Sequence, residues 1–132
     1  MPLEDLRRLI AFPTVSNRPI RALSSHLAER AEACGFDVSI YEAPGNPDKA
    51  NVVATIGPED EEGLILSGHM DVVPTEGQPW QSDPFALTAR EGRLYGRGTA
   101  DMKGFIACCL HACDRIDLRR LKRQLVLIWT HD

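Results

Sequence analysis

No stretch of this 132-residue sequence stays apolar long enough to cross a membrane. Its opening, Met1-Pro2-Leu3-Glu4-Asp5, has neither the basic start nor the apolar middle of a signal peptide. The expected setting is the cytoplasm, with no membrane partner. Basic charge is also scarce, because 15 Lys and Arg against 19 Asp and Glu give a formal net charge of -4. The densest basic run, Arg119, Arg120, Lys122 and Arg123, is too short for a nucleic-acid surface and reads as a solvated helix end. Cysteines number four. Cys34 stands alone while Cys108, Cys109 and Cys113 crowd one apolar stretch around His111, which is neither a disulfide framework nor a paired C-x-x-C zinc site. Such cysteines are expected to act as small hydrophobes on a buried helix. What the chain does have is an ordinary globular balance, 43% hydrophobic and 26% charged, which excludes disorder.

The apolar spacing lays out the elements. Leu3, Leu6, Leu9 and Ile10 predict a short helix that Pro13 ends. Ile20, Leu23, Leu27 and Ala31 predict a second, closed by Gly35. Phe36, Val38 and Ile40 alternate with polar residues, as in a half-buried strand, and a second strand is expected from Asn51 to Ile56 after a surface loop at 43–49. The acidic run Glu59 to Glu62 lacks the spacing of a calcium loop and reads as a solvated turn. Leu64-Ile65-Leu66 predicts a buried central strand that delivers the chain to His69. Phe85 to Tyr95 predicts two short extended pieces joined at Glu91-Gly92. After the elbow Gly96-Arg97-Gly98, the residues Phe105, Ile106, Cys109, Leu110 and Cys113 predict a helix, and Leu125 to Trp129 a last buried strand. Strands alternating with helices in this order give an α/β layered domain, without repeats.

Chemistry concentrates at two places. In extended backbone His69 and Asp71 face the same side, so Asp71 can hold one ring nitrogen while the other is presented to a metal. Taken alone, His-x-Asp is common by chance, and a lone histidine is more often a satisfied structural residue than a ligand. Asp101 follows Gly96-Arg97-Gly98-Thr99-Ala100 at the mouth of a helix, where a carboxylate either bridges two metal ions or serves as a helix N-cap. Gly96 to Thr99 before a helix also raises a phosphate cradle, although the spacing fits neither the Rossmann nor the P-loop pattern.

The run Leu66-Ser67-Gly68-His69-Met70-Asp71-Val72-Val73-Pro74, then Trp80, Ser82-Asp83-Pro84-Phe85 and Leu94-Tyr95-Gly96-Arg97-Gly98-Thr99-Ala100-Asp101-Met102-Lys103-Gly104, closely resembles the M20-type zinc metallopeptidases and deacylases. Two long motifs in order make the resemblance specific, and it extends more weakly through Lys49-Ala50-Asn51 and Thr55 to Pro58. It implies a layered mixed sheet with flanking helices, the incomplete amino-terminal part of a zinc-peptidase catalytic domain. It further implies that His69 ligates one zinc, that Asp71 is the catalytic aspartate orienting it, and that Asp101 bridges both metals, in place of the N-cap reading. Two zinc ions, for which cobalt can substitute, are the implied cofactors, and the Asp101-Met102 peptide bond is expected to be cis.

The same resemblance implies water attack on a metal-polarised amide, assisted by a glutamate base. The implied substrate is a small N-acyl amino acid. Thr99, Phe105 and the Gln78 to Phe85 segment look more like the members that deacetylate N-acetylornithine, in arginine biosynthesis, than like the succinyl-diaminopimelate desuccinylases. Carboxypeptidases and aminoacylases of the family are the further alternatives, and a non-catalytic or phosphate-binding piece is the alternative of another class. The family's paired glutamates would fall just past the strand at 124–130, so residues 1–132 are expected to lack the general base, later ligands, the lid and dimerisation domain and the carboxy-terminal catalytic half. A homodimer is expected only of the longer protein. Since a zinc site needs at least three protein ligands, this chain alone is expected to be inactive.

Overall fold

The computed structural model describes residues 2–59 and 62–131. Helix α1 (Pro2–Ala11) stops short of Pro13, and α2 (Arg21–Ala33) is followed by Gly35 at φ +93°, the left-handed turn expected of a helix end. Strands β1 (Asp37–Ala43) and β2 (Asn46–Ile56) form an antiparallel hairpin. The loop expected at 43–49 is therefore shorter than its composition suggests. Pro44-Gly45 makes the turn, and the register jumps between Glu42, which faces Ala50, and Ala43, which faces Asn46. Pro47, which has no N–H to give a ladder, is absorbed in that bulge.

Strand β3 (Leu64–His69) is followed by the small hairpin β4 (Thr88–Arg90) and β5 (Arg93–Tyr95). Glu91 and Gly92 both take positive φ, 51° and 72°, as the tight turn between those strands requires. Helix α3 (Lys103–Arg115) then leads through a short 3-10 turn at Leu118–Arg120 to β6 (Leu125–Thr130). The basic run thus lies in and after that turn, not at the end of α3. Of the acidic run, Asp60 and Glu61 lie outside the described residues.

The main sheet has the order β1-β2-β6-β3, with β6 antiparallel to β2 and parallel to β3. This corrects one expectation. The interior strands are β2 and β6, and β3 is an edge among the described residues, with Leu64 and Ile65 more than half exposed. A short apolar run signals a strand but not its place in the sheet, because edge and centre share the same local pattern. Leu125, Leu127 and Trp129 of β6 alternate into the core while strands flank it on both sides, as expected of a buried strand. Those residues join Val52 and Ala54 of β2 and the inner faces of all three helices, including Leu9, Leu23, Leu27, Ile106 and Leu110, in one core. Trp129 is fully buried, so truncating it to alanine would cost about 3–5 kcal/mol.

Candidate functional site

The carboxyl end of β3 carries His69, and the chain beyond it is pinned by a segment from the other end of the sequence. Thr14, which is buried, donates its hydroxyl to the Met70 carbonyl at 2.7 Å. Val72 N–H donates to the Thr14 carbonyl at 2.9 Å, and Ser16 N–H to the Val72 carbonyl at 3.1 Å. Residues 14–16 therefore act as a short parallel splint along 70–72.

The second motif folds into a closed elbow. Arg97 N–H donates to Pro84 O, Thr99 N–H to Gly96 O and Lys103 N–H to Gly98 O, at 2.7, 3.2 and 2.9 Å. These three amides are already paired within the elbow. Gly98 at φ +91° leaves room where a Cβ would stand 2.9 Å from Val72 Cγ1, and a Cβ on Gly104 would stand 2.2 Å from the Thr99 carbonyl oxygen. The elbow packs tightly against both the splinted strand end and the start of α3. The Asp101-Met102 bond is cis, and Met102 occupies the N-cap position with no side-chain cap, so Asp101 does not cap the helix.

The three residues singled out by sequence come together. His69 Nε2 lies 2.9 Å from Asp101 Oδ1, and His69 Nδ1 lies 3.0 Å from the Asp71 carbonyl and 3.2 Å from Asp71 Oδ1. Asp71 is the sheltered partner, with 17% of its side chain exposed against 84% for Asp101. Its other oxygen, Oδ2, accepts from Ser16 Oγ at 2.8 Å. Burial works against charge on the ring, but the hydrogen bonds to Asp101 and to the Asp71 backbone, with the fields of both carboxylates, outweigh it and raise the His69 pKa above its ordinary value. Oxygen acceptors stand against both ring nitrogens, so both donate in the imidazolium; a neutral ring with its proton at Nδ1, where two acceptors meet, leaves Nε2 a lone pair that the Asp101 carboxylate does not satisfy.

His69, Asp71, Asp101, Val72, Trp80, Arg97 and Thr99 line one cavity of about 280 Å3. Among the described residues, no group of three or more His, Cys, Asp or Glu is arranged to hold a metal ion. Sequence reasoning missed Ser16 and the burial of Lys103. Ser16 reaches Asp71 only through the pairing of 14–16 with 70–72, and no local pattern announces that pairing.

Residues 65–132 match the model of peptidase family M20/M25/M40. The chain belongs to that family. It is 43% identical over 136 residues to the acetylornithine deacetylase of Pasteurella multocida (strain Pm70), and 40% identical over the same length to that of Shigella sonnei (strain Ss046). The alignments cover 98% of this chain but 35% of each relative, so this M20 chain spans about a third of their length. Among solved structures, the M20 family metallo-carboxypeptidase Sso-CP2 from Sulfolobus solfataricus superposes with a TM-score of 0.85 at 25% identity, covering 98% of this chain and 30% of that one. Human carnosine dipeptidase 1 shares the fold, with a TM-score of 0.78 at 24% identity over 98% of this chain and 31% of its own. No helix among the described residues is long and apolar enough to cross a membrane.

Proposed function

We propose that this chain is the amino-terminal part of a zinc-dependent amide hydrolase that deacetylates N-acetylornithine, giving acetate and ornithine. The observation that carries the reading is the meeting of the His69 ring and the Asp101 carboxylate at 2.9 Å, with Asp71 held on the far side of the ring. The similarity to two acetylornithine deacetylases favours that substrate over other N-acyl amino acids.

The donors fit a zinc ion in kind: a neutral imidazole nitrogen and a carboxylate oxygen face each other, and the second ring nitrogen is already engaged. His69 and Asp101 would hold the metal, and a bound zinc supplies Lewis-acid polarisation of the amide carbonyl and a more acidic water. The chain's own residues supply orientation. Asp71 keeps the Nδ1 proton in place, Ser16 fixes the Asp71 carboxylate, and the 14–16 splint fixes the strand end that carries both. Two donors are fewer than the three that a protein zinc site needs, so a working site on this reading requires at least one further ligand and a general base besides His69, Asp71 and Asp101.

The test is ornithine release from N-acetylornithine, measured for this chain and for a version extended to the length of the relatives, each with zinc and with a chelator. The extended protein is expected to turn over only with zinc, and the short chain to stay at background. Zinc-dependent turnover by the short chain, lost on His69→Ala, would overturn the requirement for further ligands. Metal-independent turnover by the extended protein would overturn the zinc reading itself.

A further inference from the structure

The cavity that holds His69 and Asp101 also contains a cation that the hydrolytic chemistry leaves unused. Arg97 lines it, and the guanidinium lies over the Trp80 ring with 5.2 Å to the centroid. Its Nη2 donates to Gln78 Oε1 and, at 3.4 Å, to the Pro74 carbonyl. Gln78 Oε1 accepts in turn from Trp80 Nε1 at 3.1 Å, which locks the three side chains into one unit. All these protein acceptors are neutral. Arg97 Nε is buried with no hydrogen-bond partner, and no carboxylate pairs with the guanidinium among the described residues. The two carboxylates in the same cavity are turned to His69 and Ser16 instead. A guanidinium held rigid, half out of water and without a counter-charge is the arrangement that binds a planar anion well, because the ordering of the side chain is already done.

We propose that Arg97 is the carboxylate-recognising residue of this site, receiving the α-carboxylate of an N-acyl amino acid whose amide lies toward His69 and Asp101. The proposal rests on the amide-hydrolase reading above and adds which end of the substrate this chain reads. An N-acyl amino acid carries its carboxylate one carbon from the amide nitrogen. One small cavity, close to the 300 Å3 at which typical small-molecule sites begin, therefore takes both groups.

The locked unit contains its own reporter. Trp80 Nε1–H shares Gln78 with Arg97, whereas Trp129 sits in the core, so the two indole N–H proton resonances give a site signal and a fold control. N-acetylglycine titrated into the metal-free chain at constant ionic strength is expected to shift the Trp80 signal saturably and leave Trp129 unmoved. N-acetylglycinamide, which lacks the charge, is expected to need roughly tenfold more for the same response. Arg97→Gln should lose the preference for the acid, and Arg97→Lys should keep part of it. An equal response to acid and amide, an unchanged preference in Arg97→Gln, or no saturable response to the acid would each overturn the proposal. If Arg97→Gln disturbs Trp129, the acid-to-amide comparison in the unaltered chain and in Arg97→Lys still decides it. Because no metal and no turnover enter the measurement, its failure leaves the hydrolytic reading standing, and failure of turnover alone leaves the acid-to-amide preference at Arg97 to be read separately.

Discussion

Thr14 offers no chemistry to an amide, yet one of its hydrogen bonds sets where His69 can stand. Thr14→Val keeps the shape of the side chain but removes the donor to the Met70 carbonyl, and is expected to cost about 1–3 kcal/mol of stability, read as a lower urea midpoint. A midpoint unchanged within error would mean that the splint is incidental. His26 gives a pH signature away from the site. Burial first, then the positive charge of Arg8, lowers its pKa below the ordinary 6.5, against smaller opposing pulls from Glu29 and Asp5. In that window the unfolded chain takes up a proton that the folded chain refuses, so stability is full above 6.5 and declines as pH falls through the values just below it. His69, whose pKa is raised, contributes the opposite slope, so the decline is read as the difference in urea midpoint between the unaltered chain and His26→Gln, which should shift against the unaltered chain from pH 7.5 to 5. A slope unaltered by the substitution would assign the decline to other groups.

Helix α1 ends on an unusual cap. The Lys103 ammonium, on a fully buried residue, donates to the carbonyls of Leu9 at 3.0 Å and Phe12 at 2.7 Å, each of which also accepts one backbone amide in the turns that close the helix. Burial lowers its pKa to about 8, partly opposed by the field of Asp71. Lys103→Met keeps the apolar stem and removes the donor. It is expected to lose about 1–3 kcal/mol and to speed amide exchange at the end of α1 more than in α2, whereas uniform acceleration would deny a local role. Lys103 also shows where sequence reading stopped. The helices, the β4–β5 turn and the His69, Asp71 and Asp101 positions were legible, because each is written in neighbouring residues. Three facts were not: the burial of a lysine, since lysines are almost never fully buried; the edge position of β3; and the reach of Ser16 to Asp71. Each depends on what packs alongside from far away in sequence.

At the scale of the molecule, β3 is the outer strand of the main sheet on one side. No strand pairs with it on that side among the described residues, and Leu64 and Ile65 stand more than half exposed there. An apolar, unpaired edge invites pairing between copies. Ile65→Lys is expected to reduce concentration-dependent light scattering while changing stability by no more than about 0.5 kcal/mol. Unchanged scattering would locate self-association elsewhere. The strand order carries a different consequence, one of timing. A ribosome releases the β1–β2 hairpin early and complete, but β3 emerges with no partner, because its only described neighbour, β6, begins at Leu125. At roughly 5–20 residues per second, several seconds separate His69 from the Thr130 that it must sit beside. During that interval β3 has no ladder partner and only the 14–16 splint can hold the chain beyond the motif histidine, so a nascent-chain chaperone that covers Leu64 to Leu66 would be guarding the site before it exists.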